Sequence, residues 1–310
     1  MLSSEQKIQY SHQIWSIGSC FSVHMSDRLS QLGYLVDSNP TGITFNPKSI
    51  LHTLKIVLEP NSLQENRLIF HNETYAHLDF HSSYNQLDDN IFMKTAYKNL
   101  LKANKSLIKA DFIIITLGTC FVFKHNKTKE IVNNCHKLPA SAFTPHLMTS
   151  NEVLDSLEEI RALVLGQTEK PQIIFSVSPV RHIKNGLVQD RRSKSIALLA
   201  AHHMCDNYSD CHYFPSYEIM TDDLRDYRFY KDDLIHPSNQ AIEHIFNEFS
   251  TTWLAQEEQS LRDKILSIQN RRLHRPRFPD TTAHTKFKDK LEADTKDLIT
   301  EYPFLAETLV

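Results

Sequence analysis

Gln13-Ile14-Trp15-Ser16-Ile17-Gly18-Ser19-Cys20-Phe21 sets a short apolar run against a glycine and then, without a spacer, against a helical pattern. The run from Gln13 to Ile17 is too short for a core helix and reads as a strand. Phe21, Met25, Leu29 and Leu32 then recur at helical spacing. Four similar runs stand further along, at Gly33 to Val36, Phe112 to Leu117, Gln172 to Val177 and His212 to Pro215, each followed by a turn signal. Between them lie amphipathic helices. One carries Val153, Leu157, Ile160 and Val164 behind a Thr149–Glu152 capping box, and another carries Ile242, Ile245, Phe246, Phe249 and Trp253, with Pro237 expected in its first turn. Short strands alternating with such helices predict an α/β fold, a three-layer doubly wound sheet of five mostly parallel strands.

The 310 residues carry 34 Lys+Arg against 37 Asp+Glu, a formal net charge of -3, with 41% hydrophobic and 23% charged residues. That balance fits a globular chain and excludes an electrostatic polyanion binder, so no nucleic-acid partner is expected. Apolar runs such as Phe112 to Leu117 fall far short of the roughly 20 residues that span a bilayer, and no membrane association is expected. Glu5, Gln6, Lys7 and Gln9 interrupt the first ten residues where an export signal would be apolar. Five cysteines, an odd number, then favour free thiols and a cytoplasmic location.

Residues 1–256 read as the α/β domain and residues 257–310 as a C-terminal helical extension. The stretch from Leu51 to Lys109, with its aromatic and histidine-rich middle, reads as an insertion at the sheet edge. After Gln256 the composition turns polar, with Arg271, Arg272, Arg275 and Arg277 around Pro276 and an amphipathic helix through Phe287, Leu291 and Leu298.

Three constellations can carry chemistry. Gly18-Ser19-Cys20 places Cys20 at a helix N-terminus, where the dipole and unpaired N–H groups favour a thiolate, although a buried structural cysteine would read the same way. In Asp233-Leu234-Ile235-His236 the carboxylate can reach the imidazole, fix its tautomer and leave the other nitrogen free as a base. Gly42, in Asn39-Pro40-Thr41-Gly42, and Gly118, just after a strand, can aim backbone N–H groups at an oxyanion. For Gly42 alone an ordinary β-turn is the better reading.

Together with Asn46-Pro47, His81-Ser82, Asn134-Cys135-His136-Lys137-Leu138-Pro139, Ser178-Pro179-Val180-Arg181-His182 and Tyr213 to Glu218, these blocks make the chain resemble the GSCFA family, related to the SGNH (GDSL-type) hydrolases. The resemblance implies a flavodoxin-like three-layer architecture. It also implies that Cys20 replaces the nucleophilic serine, that Gly42 and Gly118 match the second and third blocks, and that Asp233 and His236 complete a triad. The third block has Thr119 and Cys120 where its asparagine would stand, so oxyanion donors would be backbone N–H groups and the Thr119 hydroxyl. Residue 22 is Ser where the family name has Ala, a change expected to matter little. Ser19 is left as a second candidate nucleophile. Ser178, Arg181 and His182 follow a strand and are expected beside Cys20, to bind an anionic or sugar-like substrate, with Arg181 pairing a carboxylate such as Glu218 as the alternative.

The implied activity is hydrolysis or acyl transfer on an O-acylated carbohydrate or other small ester, with no cofactor. The alternative is a module that binds a glycan or acylated ligand without turning it over. His202, His203, Cys205, Cys211 and His212 cluster in sequence, but the spacing lacks a Cys-x-x-Cys pair and argues against a metal site.

Overall fold

The structure, a computed structural model, describes residues 6–309. In chain order its elements begin with β1 (Gln13–Gly18), α1 (Cys20–Gln31), β2 (Leu35–Ser38), α2 (Pro47–Leu58), β3 (Leu68–His71) and β4 (Thr74–His77). They continue with α3 (Asp89–Ile108), β5 (Phe112–Leu117), β6 (Phe121–His125), β7 (Ile131–Val132), β8 (Phe143–Leu147), α4 (Ser150–Leu165) and β9 (Gln172–Val177). Then come α5 (Leu187–Asn207), β10 (Cys211–Phe214), a short α6 (Ser216–Glu218), α7 (Asn239–Trp253), α8 (Gln259–Leu273) and α9 (Thr282–Glu301).

Alternation within the apolar runs builds both faces of one sheet. The strands lie in the order β10-β9-β5-β1-β2 and every pair is parallel, the flavodoxin-like order. Trp15, Ile17, Ile113, Ile115, Ile173 and Phe175 pack on one side with Leu54 of α2, Leu100 of α3, Leu157 of α4 and Ala201 of α5. Their immediate neighbours Ile14, Phe112, Ile114 and Ile174 face the other side, with Phe21 and Leu29 of α1 and Ile245 and Phe249 of α7. A parallel sheet must be covered on both faces, and each buried side chain of this size contributes about 1.5–3 kcal/mol.

Helix ends follow local chemistry. Thr149 and Glu152 form the expected capping box of α4. Gly33, at φ 87°, closes α1 in a Schellman motif, with Tyr34 N–H on Leu29 O and Gly33 N–H on Ser30 O. The second strand therefore starts at Leu35 and not at Gly33. Pro237 lies before the first turn of α7: Ser238 is the cap, accepting the Ala241 N–H, and Pro237 forms a bridge with Tyr230.

The stretch from Leu51 to Lys109 is only partly an insertion. α2 and α3 cover the sheet, and the excursion proper holds the β3–β4 hairpin. A second excursion after β5 carries an antiparallel β7-β6-β8 sheet that the sequence reading did not anticipate. Leu78, Val132 and Phe143 give the two excursions a small core of their own, beside Arg67 and Asp79, which form a buried two-pronged ion pair. The Arg-rich tail docks on the main body: Ile265 and Ile268 of α8 and Leu298 of α9 join the α1–α7 core, while buried Arg262 donates to Ala255 O and Tyr34 Oη.

From β1 the chain moves outward to β2, and it returns on the other side through β5 and β9. The carboxyl ends of β1 and β5 therefore flank the switch point of the sheet, where doubly wound folds bind ligands.

Candidate functional site at the carboxyl edge of the sheet

β1 ends on Gly18, where an added Cβ would lie 2.3 Å from the Thr116 carbonyl oxygen of β5. Only glycine lets the two strand ends approach so closely. Its N–H donates to Asn39 Oδ1 at 2.9 Å, and its carbonyl accepts the Thr44 N–H at 2.9 Å. Asn39 Nδ2 donates to Ser22 Oγ, which donates to Ser19 O at 2.7 Å. Ser22 is thus a tie in the turn, more than the minor change expected. One residue further, Phe45 O accepts the N–H groups of Gly118 (2.8 Å) and Thr119 (2.9 Å). Residues 39–45 are laced across the ends of β1 and β5.

Ser19 is the N-cap of α1, fully buried, with its Oγ accepting the Phe21 N–H. That bond defines a cap. Cys20 is the first helical residue and only partly buried. Burial pushes its thiol pKa up. The Cys20 and Phe21 N–H groups and the Lys194 and Lys231 ammonium groups pull the other way without overcoming it. The thiolate expected from the helix dipole alone is therefore outweighed by desolvation, and the resting group is a thiol.

The Asp233–His236 segment is the tip of a closed loop. A Tyr230–Pro237 bridge and the Lys231 N–H on His236 O at 2.8 Å close its base. Within it, Asp233 Oδ1 accepts the Ile235 N–H (2.8 Å) and the His236 N–H (3.0 Å), and Oδ2 lies 2.7 Å from His236 Nδ1. These bonds to His236 and Ile235 hold the Asp233 carboxyl well below the usual range. The loop is pinned to the segment after β9: the Arg181 N–H donates to Ile235 O at 3.2 Å and Arg181 Nη1 to Leu234 O at 3.2 Å. Its guanidinium lies over the Tyr230 ring, 4.2 Å from the centroid. Arg181 does not pair with Glu218, whose carboxylate accepts from Tyr213 Oη.

Several features bring Cys20 and this loop to one place. Cys20 and Ile235 pack on the same apolar cluster. Lys231, hydrogen-bonded to His236, acts on the Cys20 thiol. His24, one turn below Cys20 on α1, has its pKa lowered by burial and then by Lys231, with His236 adding to it. His182 is pushed down to about 3 by burial, with Lys194 and His236 contributing, and is a neutral imidazole at physiological pH. An added Cβ on Gly118 would lie 3.2 Å from both His182 Nε2 and Ser19 Cβ.

The proposed oxyanion donors are already engaged. Gly42 N–H closes the Asn39 turn onto Asn39 O at 2.7 Å, and Gly118 N–H is held by Phe45 O. Thr119 Oγ1 bonds Ser193 Oγ at 2.9 Å and accepts the Phe121 N–H. Ser178 is buried and structural: its N–H donates to Leu117 O, and its Oγ accepts the Val180 N–H. Gly42 matters for a different reason, because His81 Cβ would lie 2.4 Å from a Cβ placed on it. His24, Lys194 and Lys231 were not singled out from the sequence. His24 was findable from its i+4 spacing to Cys20, whereas a lysine in the middle of a helix carries no such signal.

Elsewhere, all five cysteines are free thiols. Among the described residues no three His, Cys, Asp or Glu groups are placed to hold a metal ion. His202 packs on the Tyr213 ring and His212 meets Gln172 Oε1. Nor, among the described residues, is any helix long and apolar enough to cross a membrane.

Fold and site define a class: a doubly wound α/β protein with a cysteine at the first strand-to-helix turn and an Asp–His pair in the loop before the last helix of the unit. The GSCFA family model matches residues 13–249, and the chain belongs to the GSCFA family. Comparison with curated proteins finds none that matches.

Proposed function

We propose that this chain is an ester hydrolase or acyl transferase that works through an acyl-thioester on Cys20, an SGNH-type scaffold with sulfur in place of the serine oxygen. The observation that carries this reading is the 2.7 Å contact between His236 Nδ1 and Asp233 Oδ2, in a loop tied to the β9 end beside the Cys20 turn. With Nδ1–H donated to Asp233, the lone pair sits on Nε2.

Nε2 takes the thiol proton as the sulfur attacks the acyl carbon. The S–C bond forms and the carbonyl π pair moves to oxygen. When the carbonyl re-forms, the C–O bond to the alcohol breaks and His236 returns the proton to the leaving oxygen. Water, or a second alcohol in transfer, then attacks the thioester, gives its proton to Nε2 and frees the sulfur, which regains a proton. Because burial keeps the resting group a thiol, deprotonation accompanies attack rather than preceding it. Developing charge is met by the Cys20 N–H at the start of α1 and by the positive end of its dipole. Arg181 and Lys231, with the Tyr227 and Tyr230 rings, suit an O-acylated carbohydrate or a similar small ester. Five free thiols fit the reducing cytoplasm.

The test is turnover of p-nitrophenyl esters and acetylated sugars by the unaltered chain, Cys20→Ala and His236→Ala, with mass spectrometry of the Cys20 peptide. We expect an acyl adduct on Cys20 and turnover lower by about a thousandfold or more in both variants. Turnover that survives Cys20→Ala overturns the reading. A second reading, a glycan- or acyl-binding module, is favoured by the engaged amides of Gly42 and Gly118 and the engaged Thr119 hydroxyl. Calorimetric binding of acetylated sugar with no turnover by the unaltered chain would select it.

A further inference from the structure

Lys194 stands in the middle of α5, and its side chain is 1% exposed. Its Nζ donates to two main-chain oxygens, Gly118 O at 2.6 Å and Ser178 O at 2.7 Å, the residues that follow β5 and β9. An ammonium has three protons, and carbonyl dipoles orient it without cancelling its charge. Among the described residues no carboxylate makes an ion pair with it. Asp190, one turn earlier, accepts the His182 N–H at 2.9 Å, and the Tyr217 ring lies 5.8 Å away. The other charged or titratable groups around Lys194 are Arg191, Cys20, Cys120 and His182.

The Asp190 carboxylate acts on Lys194 without pairing with it, and a buried cation left without a direct partner is costly but poised to meet a negative charge that forms beside it. What lies across Gly118 identifies that charge. An added Cβ there would be 3.2 Å from Ser19 Cβ, so a single glycine separates the carbonyl that holds the ammonium from the Ser19–Cys20 turn. Cys120, the other thiol near Lys194, is closed off in the core at 0% exposure and cannot meet a ligand.

We propose that Lys194 is a positioning residue that ties the ends of β5 and β9 together beneath Ser19 and Cys20 and supplies the fixed positive charge for the negative charge that develops there, on the Cys20 sulfur as it loses its proton and on the acyl oxygen as it is attacked. It takes over electrostatic work for which the chain has no asparagine after Gly118. Burial lowers the pKa of Lys194 to about 8, so the charge is present at neutral pH.

The inference rests on Cys20 being the reacting group, but its test needs no ester. Alkylation of Cys20 is followed in the folded chain by peptide mass spectrometry, with unlabelled Cys120 reporting an intact fold. At pH 7, where Lys194 is charged, Lys194→Met and Lys194→Gln should react with iodoacetamide about tenfold more slowly than the unaltered chain, the expected effect of removing one nearby charge. Gln keeps hydrogen bonds to the carbonyls, so its loss isolates charge from tying. A Cys20 rate in either folded variant within twofold of the unaltered chain overturns the proposal. Should neither variant fold, the unaltered chain decides: the ratio of iodoacetate to iodoacetamide rates at Cys20 should exceed that of glutathione at least threefold, and an equal ratio overturns it. Slowed alkylation in a chain that turns over no ester would sink the hydrolase reading alone. Turnover that depends on Cys20, with alkylation unmoved by Lys194→Met, would sink only the role of Lys194.

Discussion

Asp233 Oδ2 lies 2.7 Å from His236 Nδ1 while Asp233 Oδ1 accepts the N–H groups of Ile235 and His236. One carboxylate thus shapes the loop and orients the imidazole. Asp233→Asn presents either an oxygen or an NH₂ to Nδ1, and where NH₂ faces it the proton moves to Nε2 and the base is lost. We expect ester turnover to fall by about 10²–10⁴ while the far-UV circular dichroism is unchanged, because the carboxylate is solvent-facing. Full activity in this variant would remove the Asp233 charge from the mechanism.

Glycine identity at two sites separates backbone demand from chance. At Gly18 an added Cβ would lie 2.3 Å from a backbone oxygen, whereas at Gly166, the ordinary right-handed C-cap of α4, its nearest contact would be 3.4 Å. Gly18→Ala should cost about 2–4 kcal/mol by urea denaturation, and Gly166→Ala should be neutral or stabilising by up to about 1 kcal/mol. Equal costs would show that the β1–β5 approach is looser than described.

Short continuous apolar runs and the turns that end them were enough to place the five core strands, because both faces of that sheet are apolar and each strand is short. Boundaries failed where a cap decided them: the Schellman closure at Gly33 is settled by one residue's backbone and the Ser238 cap by one side-chain bond, and periodicity reports neither. The β7-β6-β8 sheet escaped because its strands are only two to five residues long and partly exposed, with Pro145 inside β8. The helix start at Cys20 and the Asp233–His236 contact were legible as spacing, yet the burial of Lys194 was not, since a lysine on a long helix reads as solvated until the tertiary fold covers it. The donor assignments of Gly42 and Gly118 failed for the same reason: where a backbone N–H points depends on Asn39 and Phe45, partners brought in by the 39–45 segment.

Acid should unfold the chain in two stages. His182 is held near 3, and His77 and His136 are pushed down by burial, so below pH about 6.5 the unfolded chain takes up protons that the folded chain refuses. Stability falls as pH drops from 6.5 toward 3. Asp79 acts later: burial alone would raise its pKa, but hydrogen bonds from His52 and Arg67 hold it at about 2. Its contribution, on the order of 2 kcal/mol, is intact above about 4 and disappears as pH falls through 2. Urea midpoints from pH 7 to 3 should show the first stage in the unaltered chain, with a shallower slope in His182→Gln. A flat profile between 6.5 and 4 would contradict buried neutral histidines.

The tail makes the last test, because α8 and α9 extend the core outside the matched residues 13–249. Ile265 and Leu305 are fully buried against α1 and its closing turn, and a Cβ on Gly33 would lie 3.1 Å from both of their side chains. Removing residues 257–310 would expose Phe21-side core residues together with Tyr10 and Tyr34, whose stacked rings lie 4.3 Å apart beside Arg262. Ile265→Ala should cost about 2–4 kcal/mol by denaturation, and a chain ending at Gln256 should aggregate or bind a hydrophobic dye at neutral pH. A soluble, cooperatively unfolding chain of residues 1–256 with an unchanged urea midpoint would show that the tail only leans on a core complete without it. The site would respond in turn, because α1, which carries Cys20 at one end, is held at the other by the Gly33 turn beneath Ile265.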